Sequence, residues 1–224
     1  MSYILKVSLM GGFVVLLTSN ILLGKIPDYL PLNPGAYWNY QNSSGNLLEM
    51  AVSGQRQICG LDATILASSW QIESQEGEDQ HFWSKDNEGN VYYHGWESLA
   101  PQPEIVVFNP PWTYLDLPLY IGKTWDISGT MYSDFFCSPP GEFFSYSAMV
   151  IDFQEVTVPA GTFPAVKVEI SFGGGRVETR WFSDGVGWVH HDPEGIFVPW
   201  ELYEWNAGTA SEALTWGRVK SLYR

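Results

Sequence analysis

The segment Glu155 to Val168 reads EVTVPAGTFPAVKV, and further along Trp181 to Val189 reads WFSDGVGWV. These two stretches decide the fold. Val156, Val158, Val166 and Val168 alternate with other residues on either side of Pro159 and Gly161, the pattern of two extended segments around a reversal. Pro159 fixes φ and Gly161 accepts a positive φ, so Val158 to Thr162 is expected to form a three-residue hairpin loop. In the second stretch Asp184 and Gly185 mark a turn between aromatic and β-branched runs.

Working outward, period-two alternation recurs from Ala36 to Tyr203, and nothing before the C-terminal tail keeps a capped helical period. The class is all-β. Strands are expected over Ala36 to Gln41, Leu47 to Gly54, Ala63 to Glu73, Gln80 to Lys85, Asn90 to Trp96, Thr124 to Tyr132, Phe143 to Val158, Thr162 to Phe172, Arg176 to Ser183, Gly187 to His191 and Phe197 to Trp205. NSSGN, QRQICGL, SQEGED and DNEG supply the first turns, and Gly173 to Gly175 a later one. Near neighbours joined by short turns form an antiparallel meander, which buries one face by curling into a strongly curved sheet or barrel. Ser98 to Leu119 carries Pro101, Pro103, Pro110, Pro111 and Pro118, which lack ladder donors, so it is expected to lie across an edge or opening as a lid. The tail from Thr209 to Trp216 fits a short helix or a last strand.

No Ser/Gly-rich linker or charge run divides the 224 residues, so a single domain over 25–224 follows a separate segment, 1–24. In that segment Lys6 precedes the apolar run Val7 to Leu17, and Ile21 to Gly24 adds a second apolar patch, the pattern of a secretory leader. Val7 to Gly24 spans 18 residues, the lower limit for an uncleaved anchor. The expectation is an exported protein, periplasmic or extracellular. A content of 45% hydrophobic and 16% aromatic residues is enough to build a core without a metal or cofactor. The formal charge of −14 repels phosphate backbones and anionic lipid surfaces, which argues against nucleic acid and leaves the N-terminal segment as the route to a membrane. Cys59 and Cys137 either pair in an oxidising compartment, closing a long loop, or serve as two separate small apolar residues.

Several short motifs recur in a fixed order. DYLPLNPGAYWNY carries Tyr29, Pro31, Gly35 and Trp38; IGKTW spans Ile121 to Trp125; VPAGTF spans Val158 to Phe163; and WFSDGVGWV follows. The set resembles a TapB-like family of exported bacterial proteins of largely unknown function, over about Asp28 to Val189. The resemblance implies an antiparallel β-fold in or beyond the cell envelope and transfers no catalytic residues. Two departures stand out: no cysteine lies near the leader, where many relatives carry a lipid-modified one, and His190 stands where a basic residue is common.

His190, His191, Asp192 and Glu194 form the one cluster with metal-ligand chemistry, but adjacent strand residues face opposite ways, so the two histidines do not converge on one ion. Gly122, Lys123 and Thr124 resemble the end of a phosphate-binding loop, yet a strand follows where that loop needs a helix. Asp184, Asp192, Glu194, Glu201 and Glu204 are candidates for a glycosidase carboxylate pair, which requires a defined separation beside a stacking ring. Among the aromatics, Trp38, Trp83, Trp125 and Trp181 alternate within strands and read as core. Trp96, Trp112, Trp200 and Trp205 lie near strand ends or in Pro-rich sequence and are the candidate ligand-binding residues. The reading that emerges is a non-catalytic binding or structural protein of the envelope, whose partner is a small apolar ligand, a glycan or an envelope protein. The alternative is a carbohydrate-active enzyme or glycan-binding module using paired carboxylates and exposed Trp.

Overall fold

The computed structural model describes residues 25–100, 102–193 and 198–208. Segment 1–24, the tail beyond 208 and Glu194 therefore lie outside the described residues. Twelve strands follow one another: β1 (Tyr37–Asn42), β2 (Leu47–Ile58), β3 (Leu61–Ile72), β4 (Gln75–Lys85), β5 (Val91–Ala100), β6 (Glu104–Leu115), β7 (Thr124–Tyr132), β8 (Glu142–Val158), β9 (Gly161–Ser171), β10 (Val177–Ser183), β11 (Gly187–Asp192) and β12 (Trp200–Asn206). Each pairs antiparallel with the next, and β1 pairs with β12, so the meander closes into a barrel. Closure removes both free edges of the sheet.

Alternation does what the sequence predicts. Trp38, Tyr40, Trp83, Tyr93, Phe108, Tyr114, Phe144 and Phe182 all join the interior cluster, packed with Val91, Leu115, Val168, Val189 and Leu202. Gly161 has φ of 138°, as the hairpin requires, but Val158 pairs directly with Gly161, so the reversal is made by Pro159 and Ala160 alone. The three-residue loop is thus a two-residue one. The QRQICGL and SQEGED turns also contract: β2 and β3 run to a reversal at Cys59 and Gly60, and β3 and β4 to one at Glu73 and Ser74. Cys59 and Glu73 adopt φ of 51° and 55°, left-handed conformations that residue type does not announce.

The expected lid is a wall strand. Within Ser98 to Leu119, β6 pairs with β5 in two runs, Glu104 to Val107 and then Trp112 to Leu115, with the irregularity falling between them. Pro110 and Pro111 occupy that gap, and pairing with β7 stops at Asn109, so neither proline is asked for a ladder hydrogen bond. Beyond this point Trp125 bridges the seam by donating its indole N–H to the Thr113 carbonyl at 2.9 Å. Opposite the irregularity Gly95 has φ of 128°, and a Cβ there would lie 2.0 Å from the Val106 carbonyl oxygen. Only glycine lets the two strands approach so closely.

Residues 25–36 cover one end of the barrel. Leu30 and Ala36 are buried, the Asp28 carbonyl accepts from Gly185 N at 2.8 Å, and Lys85 Nζ pairs with Asp28 Oδ1 at 2.8 Å. On the outer wall the connection between β7 and β8, residues 133–141, folds back over β2, β4 and β6, burying Ile58, Phe82 and Val107 in a second, smaller core. Cys59 and Cys137 are disulfide-bonded, with Cα atoms 5.4 Å apart, and Cys59 N donates to Phe135 O at 2.8 Å. Arg56 stacks over the Phe135 ring at 4.5 Å and pairs with Glu97 at 2.8 Å, completing the clamp.

Candidate functional site

Strand β10 places Glu178 and Arg180 two residues apart, and thus on one face, with Arg176 just before the strand. Glu178 and Arg180 point inward, where a charge is tolerated only with partners. Glu178 accepts from Arg176 at 2.7 Å and from Arg180 at 2.9 Å, and its Oε2 lies 3.4 Å from His191 Nε2. Burial pushes the Glu178 carboxyl up, but His191 and Arg176 together outweigh it and hold the group below the ordinary carboxylate value. It stays ionised. Arg180 also donates to the Tyr114 hydroxyl, and its guanidinium lies 4.5 Å from the Trp188 ring and 5.2 Å from the Tyr114 ring. Such ring contacts hold a cation where water is scarce.

The facing wall supplies Asp79 and His81 from β4. Asp79 accepts from Trp70 Nε1 at 2.8 Å, and His81 Nδ1 is 2.9 Å from the Tyr93 hydroxyl. Burial drives the imidazoles of His81 and His191 down to about 4, with Arg180 adding repulsion to both, so both are neutral near pH 7. Burial raises Tyr40 and Tyr93, which remain protonated. The interior therefore holds the ion pair of Arg180 and Glu178 among neutral imidazoles and phenols.

The two histidines of β11 part as strand geometry demands. His191 turns inward to Glu178, whereas His190 packs edge-on against Trp181, a member of the core cluster, at 4.6 Å and lies 4.0 Å from Glu201. His94 bonds Ser84 at 2.8 Å, and among the described residues no group of three His, Cys, Asp or Glu could hold a metal ion. The remaining carboxylates serve the wall: Asp184 accepts from Asp28 N, and Glu204 from the Tyr37 hydroxyl. Lys123 binds Asp116 at 3.0 Å in the loop before β7.

The four candidate tryptophans fall in two regions. Trp96 lies 6.1 Å from Phe108 and Trp112 lies 5.8 Å from Phe108 on its other side, so these two share one ring chain. Trp112 belongs to strand β6, not to a loop, and is buried. Trp200, half-buried, stands opposite His191 where β11 and β12 share only two paired positions, while Trp205 packs against Phe163 at 6.3 Å toward the covered end. A cleft of about 750 Å³ opens at the rim of β5, β6, β7 and β8, with Ser98, Val106 and Met131 on its floor and Glu97, Glu104 and Glu142 around it. From that floor the rings lead inward: Trp96, Phe108, Trp112, then Tyr114, 5.9 Å from Trp112 and in contact with Arg180.

Arg180 and Glu178 were not singled out from the sequence. The signal was the string RVETR, in which charges at every second position of a strand can only share a face, and that face is the one carrying Phe182.

Fold and site together define a closed antiparallel barrel with a ring-lined, charge-bearing interior and a cleft at one rim. No family model and no curated protein matches the chain. Solved structures similar to it include a putative lipoprotein from Parabacteroides distasonis, at 13% identity and a TM-score of 0.40, covering 80% of this chain and 99% of that one. Another is a putative exported protein with a YmcC-like fold from Bacteroides fragilis, at 13% identity and a TM-score of 0.47, with the same coverage of 80% and 99%. Likeness at this level bears on neither ligand nor activity.

Proposed function

We propose that the protein is an exported, non-catalytic binding protein of the cell envelope that takes an apolar or amphiphilic ligand into its barrel through the rim cleft. One observation carries this reading: Trp96, Tyr146, Phe172, Trp188 and Trp200 pack against the interior cluster, yet remain only partly buried. Rings that face the inside of a closed barrel and still meet solvent are surface prepared for a guest. The leader-like segment 1–24 and the resemblance to TapB-like exported proteins supply the compartment.

A carbohydrate-active enzyme is the less favoured reading. Of the inward carboxylates, Glu178 is clamped by two guanidiniums and kept ionised, which suits a structural anion and not a general acid. The test is a titration of the purified protein with alkyl amphiphiles and with soluble glycans, read by tryptophan fluorescence and melting temperature. Saturable quenching with a rise in melting temperature is expected for amphiphiles. Turnover of any glycan, or silence across the amphiphiles, would overturn the proposal.

A further inference from the structure

Resting on the binding role proposed above, we infer that the guest is an uncharged amphiphile whose polar head is an acyl carbonyl of the ester type, seated among Trp83, Trp112, Trp188 and Arg180. The argument is one of unmatched hydrogen-bond donors. Trp83 Nε1, Trp112 Nε1, Trp188 Nε1 and Arg180 Nε are all shielded from solvent and have no acceptor among the described residues. Their side chains are neighbours: the Trp83 and Trp112 rings lie 4.8 and 5.9 Å from the Tyr114 ring, and the Arg180 guanidinium lies 5.2 Å from that ring and 4.5 Å from the Trp188 ring. A buried donor left unmatched is destabilising, so four in one region call for a group that brings oxygen lone pairs.

An indole N–H and a guanidinium N–H donate only, which means a head rich in donors would leave them unmatched and add its own. An ammonium head is excluded on that ground, although the chain's formal charge of −14 would attract one from a distance. Charge decides between the acceptors that remain. Arg180 already pairs with Glu178, which Arg176 also binds, so a buried carboxylate at Arg180 would set a second anion beside the first. It would also pass Glu97, Glu104 and Glu142 at the cleft, of which, among the described residues, Glu97 alone has a cationic partner, Arg56. An ester carbonyl satisfies the donors and brings no charge. Its chain then runs back along Trp112, Phe108 and Trp96 toward Val106 and Met131.

The experiment is a calorimetric titration of the protein at neutral pH with methyl decanoate, decanoate and decylamine, which share a chain and differ in the head. Methyl decanoate is expected to bind at least tenfold more tightly than decylamine and several-fold more tightly than decanoate. Trp188→Phe removes one donor while keeping a ring, and should weaken the ester about 3- to 10-fold while leaving decylamine unchanged. Decanoate or decylamine binding as well as the ester, or an ester affinity untouched by Trp188→Phe, overturns the inference and leaves the binding role standing. If none of the three binds, the binding role itself falls, and ordered water is what meets the donors.

Discussion

Acid should unfold this barrel through its histidines. The chain has four, and burial depresses all of them: His81, His94 and His191 to about 4, and His190 in the same direction. A folded-state value below the unfolded one means that the stabilisation is complete above about 6.5 and is lost as pH falls toward 4, because the unfolded chain takes up protons that the native one refuses. Near pH 5.5 an unfolded imidazole is about nine-tenths protonated and a folded one with a value of 4 almost not at all. Three such groups give a difference of between two and three protons, so stability should fall by roughly 3 to 4 kcal/mol per pH unit there. Relief of carboxylate repulsion in so acidic a chain works the other way and reduces the slope. Denaturant unfolding followed by tryptophan fluorescence from about pH 7.5 to 5 measures it. His94→Gln, which removes one of the three, should flatten the slope by roughly a third. Stability that stays level or rises over that range would refute the assignment of neutral, buried imidazoles.

Three further outcomes are expected. Replacing Cys59 and Cys137 by alanine releases a cross-link spanning 78 residues of sequence, and by chain-entropy reasoning should cost roughly 4 kcal/mol, seen as a lower denaturation midpoint. Gly95→Ala forces a Cβ against the Val106 carbonyl in a positive-φ position, so a loss of more than about 2 kcal/mol is expected, and a near-normal melting temperature would show that β5 and β6 can separate without penalty. Arg180→Met leaves Glu178 with Arg176 as its one guanidinium partner, so a destabilisation of about 3 kcal/mol is expected, with Arg180→Met/Glu178→Met recovering much of it in a double-mutant cycle.

Alternation carried most of the architecture because a wall strand of a barrel is the simplest object that period-two sequence can make. Thr124 to Tyr132 matches β7 end to end, and ten other strands were placed with only their ends shifted. β6 was missed for a physical reason. Prolines weigh against a strand only where the ladder needs their donor, and sequence does not reveal that Pro110 and Pro111 fall where the partner strands diverge. The turns at QRQICGL and SQEGED were read as longer than they are because ordinary residues, Cys59 and Glu73, adopt a left-handed conformation there, Cys59 within the disulfide. For the site, inward rings were legible as aromatic surplus, but which tryptophans share a chain depends on strand stagger. The Arg180 and Glu178 pair was hidden by habit, since a charged string normally signals a solvated face.

The covered end of the barrel brings the first and last strands together, and Asn33 Nδ2 donates to the Ala207 carbonyl at 3.1 Å across that junction. Every other pairing joins neighbours in the chain, so each can zip as soon as its hairpin emerges, while β1 must wait for β12. A circular permutant that links residue 208 to residue 33 and opens new ends at Glu73 and Ser74 would turn that late seam into a local hairpin. Such a rearranged chain should complete the cylinder sooner, leaving its new ends to be ordered last.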